Sequence, residues 1–201
     1  MKPILLFACL LTLCGCQSSG TSTWRKPGYF GAPKTSMSVV VLAYRPEMRE
    51  QFENAIAAEL RKSGVDAKTS YQTISTQSLL ANKPAALDSL KHTNVESVFV
   101  ARLADPKTLE SVSISPANSG ATMQPWQNWF DYFTAPSAFA VGPASMAAGG
   151  KIGIQAVLYE SPSGTLLWSA TRVSNANTTG NSAKAFAGTV AQDLKKAALV
   201  P

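Results

Sequence analysis

From Ser38 to Ala43 nearly every position is apolar, with three valines in a row at 39–41. A run this short and this rich in β-branched residues predicts a strand buried on both faces. Pro46 then opens a helix, its fixed φ suited to the first turn. Met48, Phe52, Ile56 and Leu60 recur every four residues and make one buried stripe. Glu47, Glu50 and Glu53 lie toward the positive start of this helix, Arg61 and Lys62 at its negative end. Gly64 ends it, and Val65 to Tyr71 predicts a second strand. Thr76 to Asn82 gives a further turn or two. Pro84 restarts a helix whose apolar face is Ala86, Leu87 and Leu90, and Asn94 closes it. Val95 to Leu103 predicts a third strand, centred on Val98, Phe99 and Val100. Later come two more strands, Lys151 to Glu160 and Thr165 to Val173. The Ser161-Pro162-Ser163-Gly164 turn between them is a strong hairpin signal. Ile152, Ile154, Ala156 and Leu158 share one face of the first, and Leu167 with Trp168 anchors the second. A last helix, from about Asn181 to Leu199, turns Phe186, Val190 and Leu194 inward. The pattern predicts a single-domain α/β sandwich over 36–201: a mixed sheet of about five strands, helices mainly on one face.

Between the third and fourth strands the periodicity stops. Asp105 to Gly150 is an irregular insertion, and long stretches of this kind inside a compact domain are commonly functional. Within it, residues 126–133 pack five aromatics into eight positions. Trp126, Trp129, Phe130 and Phe133 are spaced so that one or two helical turns bring them to one face. That face either enters a membrane interface or partner groove or caps the open side of the sheet as core. Ala135 to Gly150 is small, apolar and glycine-rich, suited to a flexible loop or an edge hairpin that pairs with another copy.

Ahead of the domain the pattern changes again. Met1-Lys2 is a positive start, and Pro3 to Leu13 is almost wholly apolar. That is signal-peptide length, short of the roughly 20 residues a spanning helix needs. Leu13-Cys14-Gly15-Cys16 follows at once and resembles a bacterial lipobox. The resemblance implies a diacylglycerol thioether on Cys16, cleavage of residues 1–15, and acylation of the new amino terminus. Two or three acyl chains hold a protein on a bilayer essentially permanently. Gln17 stands where the inner-membrane retention signal of such lipoproteins is aspartate, which implies the outer membrane and its periplasmic face. Gln17 to Thr35 is rich in Gly, Ser, Thr and Pro and reads as a flexible tether. Its span is roughly 25 Å root-mean-square and about 65 Å extended. Trp24 and Tyr29 are its larger side chains besides Phe30; they either fold back on the domain, rest at the lipid interface or meet a partner.

Composition narrows the chemistry. The three cysteines, Cys9, Cys14 and Cys16, all lie in the signal or at its cleavage point, so the folded region has no disulfide, thiolate nucleophile or Cys-based metal site. Net charge is +6, but the basic residues form no run longer than two, as in Arg25-Lys26, Arg61-Lys62 and Lys195-Lys196. Nucleic-acid binding asks for a clustered basic face. Mild attraction to anionic lipid or glycan surfaces is compatible with the charge. His92 is the one histidine, with Asp88 a turn before it, and no Gly-x-Ser-x-Gly elbow exists. Gly149-Gly150-Lys151-Ile152-Gly153 has neither the spacing nor the Ser or Thr of a phosphate loop. Glu96, Asp105, Glu110, Asp131 and Glu160 share no motif for paired-carboxylate hydrolysis. We assign no catalytic residue, metal or cofactor.

The lipobox, the opening 39–42 run, the Phe52-Glu53 helix closed by Gly64, and Tyr159 through Ser169 together resemble a broad group of small Gram-negative lipoproteins. That group includes the curli-secretion lipoprotein and the lipoprotein activator of a penicillin-binding protein. The layout is also similar to the amino-terminal domain of the translocation protein TolB. The resemblance implies a non-enzymatic α/β domain that assembles with itself or with another envelope protein. The chain lacks two clear amphipathic hairpins for a barrel, so a pore does not follow. Expected, then, is a membrane-anchored assembly or adaptor lipoprotein acting through Trp126, Trp129, Phe130 and Phe133; the alternative is a binding module for a periplasmic ligand such as peptidoglycan or lipid.

Overall fold

The computed structural model describes residues 22–43, 45–81, 83–104, 151–161, 163–175 and 179–201. Six strands form one mixed sheet: β1 (Ser22–Arg25), β2 (Ser36–Leu42), β3 (Asp66–Thr69), β4 (Ser97–Ala104), β5 (Lys151–Glu160) and β6 (Leu166–Asn175). The described helices are α1 (Pro46–Lys62), α2 (Thr76–Ala81), α3 (Lys83–Lys91) and α4 (Thr179–Lys196). Strand order is β1-β6-β5-β4-β2-β3. β2 runs parallel to both β3 and β4, and the other pairings are antiparallel. The fold is the expected α/β class, and the helices divide in a way that chirality explains. The crossover from β2 to β3 steps outward, and the crossover from β3 to β4 steps back past β2. Right-handed crossovers in opposite directions place their helices on opposite faces. Accordingly α1, joined by α4, covers one face, while the short α2–α3 pair covers the other.

This arrangement explains the unbroken apolar run of β2. Met37, Val39 and Val41 face α1 and α4; Val40 and Leu42 face α2 and α3. On the first face Met48, Phe52, Ile56 and Leu60 of α1 meet Phe186, Val190 and Leu194 of α4. The rings of Phe52 and Phe186 sit 6.2 Å apart. Leu79, Ala86 and Leu90 fill the second face against Val98, Val100, Val157 and Tyr159. A register shift between Leu158 and Tyr159 inserts one extra residue in β6, so that Leu167 and Trp168 both reach the first core. The α1 end is a full Schellman motif: Val65 N–H donates to Leu60 O and Gly64 N–H to Arg61 O, with Gly64 at φ +83°.

The sixth strand corrects the sequence reading. Residues 22–25, expected within a flexible tether, pair with Trp168–Thr171 at the edge of the sheet. Composition alone hides it, because four residues of Ser, Thr, Trp and Arg carry no period. They become a strand because β6 offers an open edge and Trp24 packs against the second core. The rest of the stretch, 26–35, is also tied to the domain, as described next. No helix among the described residues is long and apolar enough to cross a membrane.

Candidate functional site

The sheet has two distinct ends, and chain direction assigns each loop to one of them. At the base lie residues 25–36, the ends of α1 and α4, and the 160–165 hairpin turn. At the top lie the start of α1, the β3–α2 turn, and the two roots of the 105–150 insertion, Ala104 and Lys151. β4 and β5 are adjacent there, with Ala104 opposite Gly153.

The base is laced by the strap of residues 25–36. Arg25 Nε donates to Ala197 O at 2.7 Å, and its Nη2 to Tyr29 O at 2.9 Å, so one guanidinium joins the strap to the end of α4. Lys26 N–H donates to Leu167 O and Lys34 N–H to Leu199 O, both at 2.8 Å. Two carboxylates hold the remainder. Glu160 Oε1 receives Lys34 Nζ at 2.7 Å and Tyr29 OH at 3.1 Å, while Ser163 Oγ donates to its other oxygen. Glu96 Oε2 receives Thr35 N–H at 2.7 Å, together with Thr35 Oγ1 and Ser36 N–H. The backbone N–H of Thr35 is the main reason the Glu96 carboxyl is held below its ordinary range. The Lys34 ammonium does the same for Glu160. Burial pushes Lys34 down, but the bonds and charge of Glu160 and Tyr29 prevail and raise it. Carboxylates kept ionised in this way serve as acceptors and are poor general acids.

At the top a second polar cluster is built around the buried Arg49, Glu53 and Ser70. Glu53 Oε1 accepts from Val41 N–H, Arg49 Nε and Ser70 Oγ; Oε2 accepts from Ser70 N–H and Tyr71 N–H. β3 stops at Thr69, which pairs with Val39, so the N–H of Val41 lies beyond the last strand partner on that side. The Glu53 carboxylate takes the place of the missing strand. Arg49 also donates to Ser70 Oγ at 2.8 Å and Thr76 Oγ1 at 3.3 Å, binding α1 to the β3–α2 turn. In the sequence Glu53 reads as a dipole partner of the helix start; here it is a backbone acceptor. The available signal was a Glu four residues after an Arg on the buried side of an apolar helix.

Cys16 and the quartet Trp126, Trp129, Phe130 and Phe133 lie outside the described residues, as do Asp105, Glu110 and Asp131. Glu96 and Glu160 both serve the strap rather than facing each other across a cleft. His92 is exposed, and its Nδ1 donates 2.7 Å to the carbonyl of Asp88 in its own helix. Trp24 and Tyr29 fold back, half-buried, on the domain. No group of three or more His, Cys, Asp or Glu suited to a metal occurs among the described residues.

No family model matches the chain, and no curated protein does. Among solved structures the chain is similar to two PelC dodecamers from Paraburkholderia phytofirmans, one of them the L103M form. Each is 14% identical with a TM-score of 0.42. The matches cover 85% and 87% of this chain, and 94% and 95% of those chains.

Proposed function

We propose that this chain is a lipid-anchored, periplasm-facing outer-membrane lipoprotein that acts without catalysis, as an assembly or adaptor component of the cell envelope. One observation carries the reading: Cys16 of the lipobox-like Leu13-Cys14-Gly15-Cys16 stands six residues before Ser22, the first residue of β1. The anchor is therefore coupled closely to the domain. Three carboxylates support the non-catalytic part. Glu53, Glu96 and Glu160 are each occupied as acceptors for the chain's own donors.

The interaction surface is assigned to Trp126, Trp129, Phe130 and Phe133 in the insertion, and the partner to a second copy or another envelope protein. The anchor is tested by intact mass after expression in a Gram-negative host. The chain gains acyl groups and loses residues 1–15, and Cys16→Ser abolishes both changes. An unmodified mass for the unaltered chain sinks the anchor. The surface is tested by light scattering and circular dichroism on Trp126→Ala with Trp129→Ala. The variant keeps its fold and its melting temperature but loses self-association or partner capture. Unfolding of that variant assigns the aromatics to the core instead.

A further inference from the structure

Phe30 is the most exposed large apolar side chain among the described residues, at 95% of its full accessibility. It follows Tyr29, which is bonded through its carbonyl to Arg25, and the same guanidinium reaches Ala197 beside Lys195 and Lys196. Phe30 thus projects from the base next to the end of α4. Most carboxylates of this end are engaged: Glu160 with Lys34, Glu59 with Lys62, Asp66 with Lys68, Asp193 with Arg172, and Glu96 with the strap amides, while Asp88 near the end of α3 has only His92 beside it. Arg25, Lys26, Lys195 and Lys196 have no carboxylate partner among the described residues.

We infer that the base is a docking surface for an anionic bilayer, with Phe30 entering the interface amid these four cations and the insertion roots held on the far side. An exposed aromatic ring at the same end as Lys and Arg is matched to the headgroup region, where each nearby cation strengthens binding about fivefold. This rests on the lipid anchor at Cys16 proposed above, and chain length is consistent with it. Ser22 stands about 10 Å up the edge from Arg25. The six residues back to Cys16 reach roughly 20 Å. That reach allows either end of the sheet to meet the membrane; Phe30 and the unmatched cations select the base. β4 then sets the roots of 105–150 about 25 Å from the lipid surface.

The test uses the full chain, made in cells and reconstituted into vesicles of phosphatidylethanolamine and phosphatidylglycerol. Phe30→Cys carries an environment-sensitive fluorophore, and Val173→Cys, an exposed site toward the top, is the control. The label at 30 blue-shifts and is quenched by spin-labelled lipid, while the label at 173 keeps a water-like emission. Lys195→Glu with Lys196→Glu reduces the shifted fraction several-fold. A water-like label at 30 in protein whose mass shows acyl chains overturns the docking and leaves the anchor standing. Equal shifts at 30 and 173 also overturn it. A mass without acyl groups removes the anchor and this proposal together.

Discussion

Two side chains show how much of this fold rests on single backbone accounts. Glu53 answers three N–H groups and one guanidinium inside the protein. Glu53→Ala strands all of them and should cost about 3–5 kcal/mol in urea unfolding. Many buried ion pairs can be exchanged for apolar residues at little cost. Here Arg49→Met with Glu53→Leu should remain destabilised, because the N–H groups of Val41, Ser70 and Tyr71 still lack an acceptor. A near-neutral double variant would remove this account. Ala198 is the opposite case. It occupies the left-handed position of a second Schellman motif, at φ +53°, with Leu199 N–H bonded to Leu194 O. A Cβ is unwelcome there. Ala198→Gly should therefore stabilise the domain by about 1 kcal/mol, read as a rise in melting temperature of a few degrees.

Among the elements, the strap is the one whose behaviour depends on pH. Glu96 and Glu160 have lowered folded values, so their contribution is complete above the ordinary carboxylate range and is lost as pH falls through the lower folded values. Lys34 is raised, so its contribution is complete below its ordinary value and fades only as pH rises through the higher one. The urea midpoint should be flat from about pH 5 to about pH 9 and fall below about pH 4. Glu160→Gln should lower the neutral plateau and flatten the acid limb; an unchanged limb would assign the acid loss to other carboxylates. The strap was also the least legible element. β2, α1, β4 and the 161–164 turn each announce themselves by a local period or a turn residue. Residues 22–35 are ordered by distant partners, Thr171, Ala197, Leu199, Glu96 and Glu160, none of which their own sequence reveals. Arg102 was hidden likewise: it lies in an apolar strand yet is buried opposite Gln155.

For the molecule as a whole, the parallel β2–β3–β4 half and the antiparallel β4–β5–β6 half follow from element order and right-handed crossovers, and both could be read in outline from the hydrophobic pattern. What could not be read was the polarity of the whole, because it depends on which loops share an end. The strap, the hairpin turn and the ends of α1 and α4 gather at one end and the insertion roots at the other, a sorting that only the strand directions reveal. One further property follows from the direction of β1. Its first residue, Ser22, is the one farthest from the base, so a pull toward a membrane there does not shear the four pairings to β6 together. It unzips them singly, Ser22–Thr171 first and Arg25–Trp168 last, each freeing about 7 Å of doubled-back chain. The edge strand would act as a graded mechanical fuse, yielding length under load before the ladder of the central strands is disturbed.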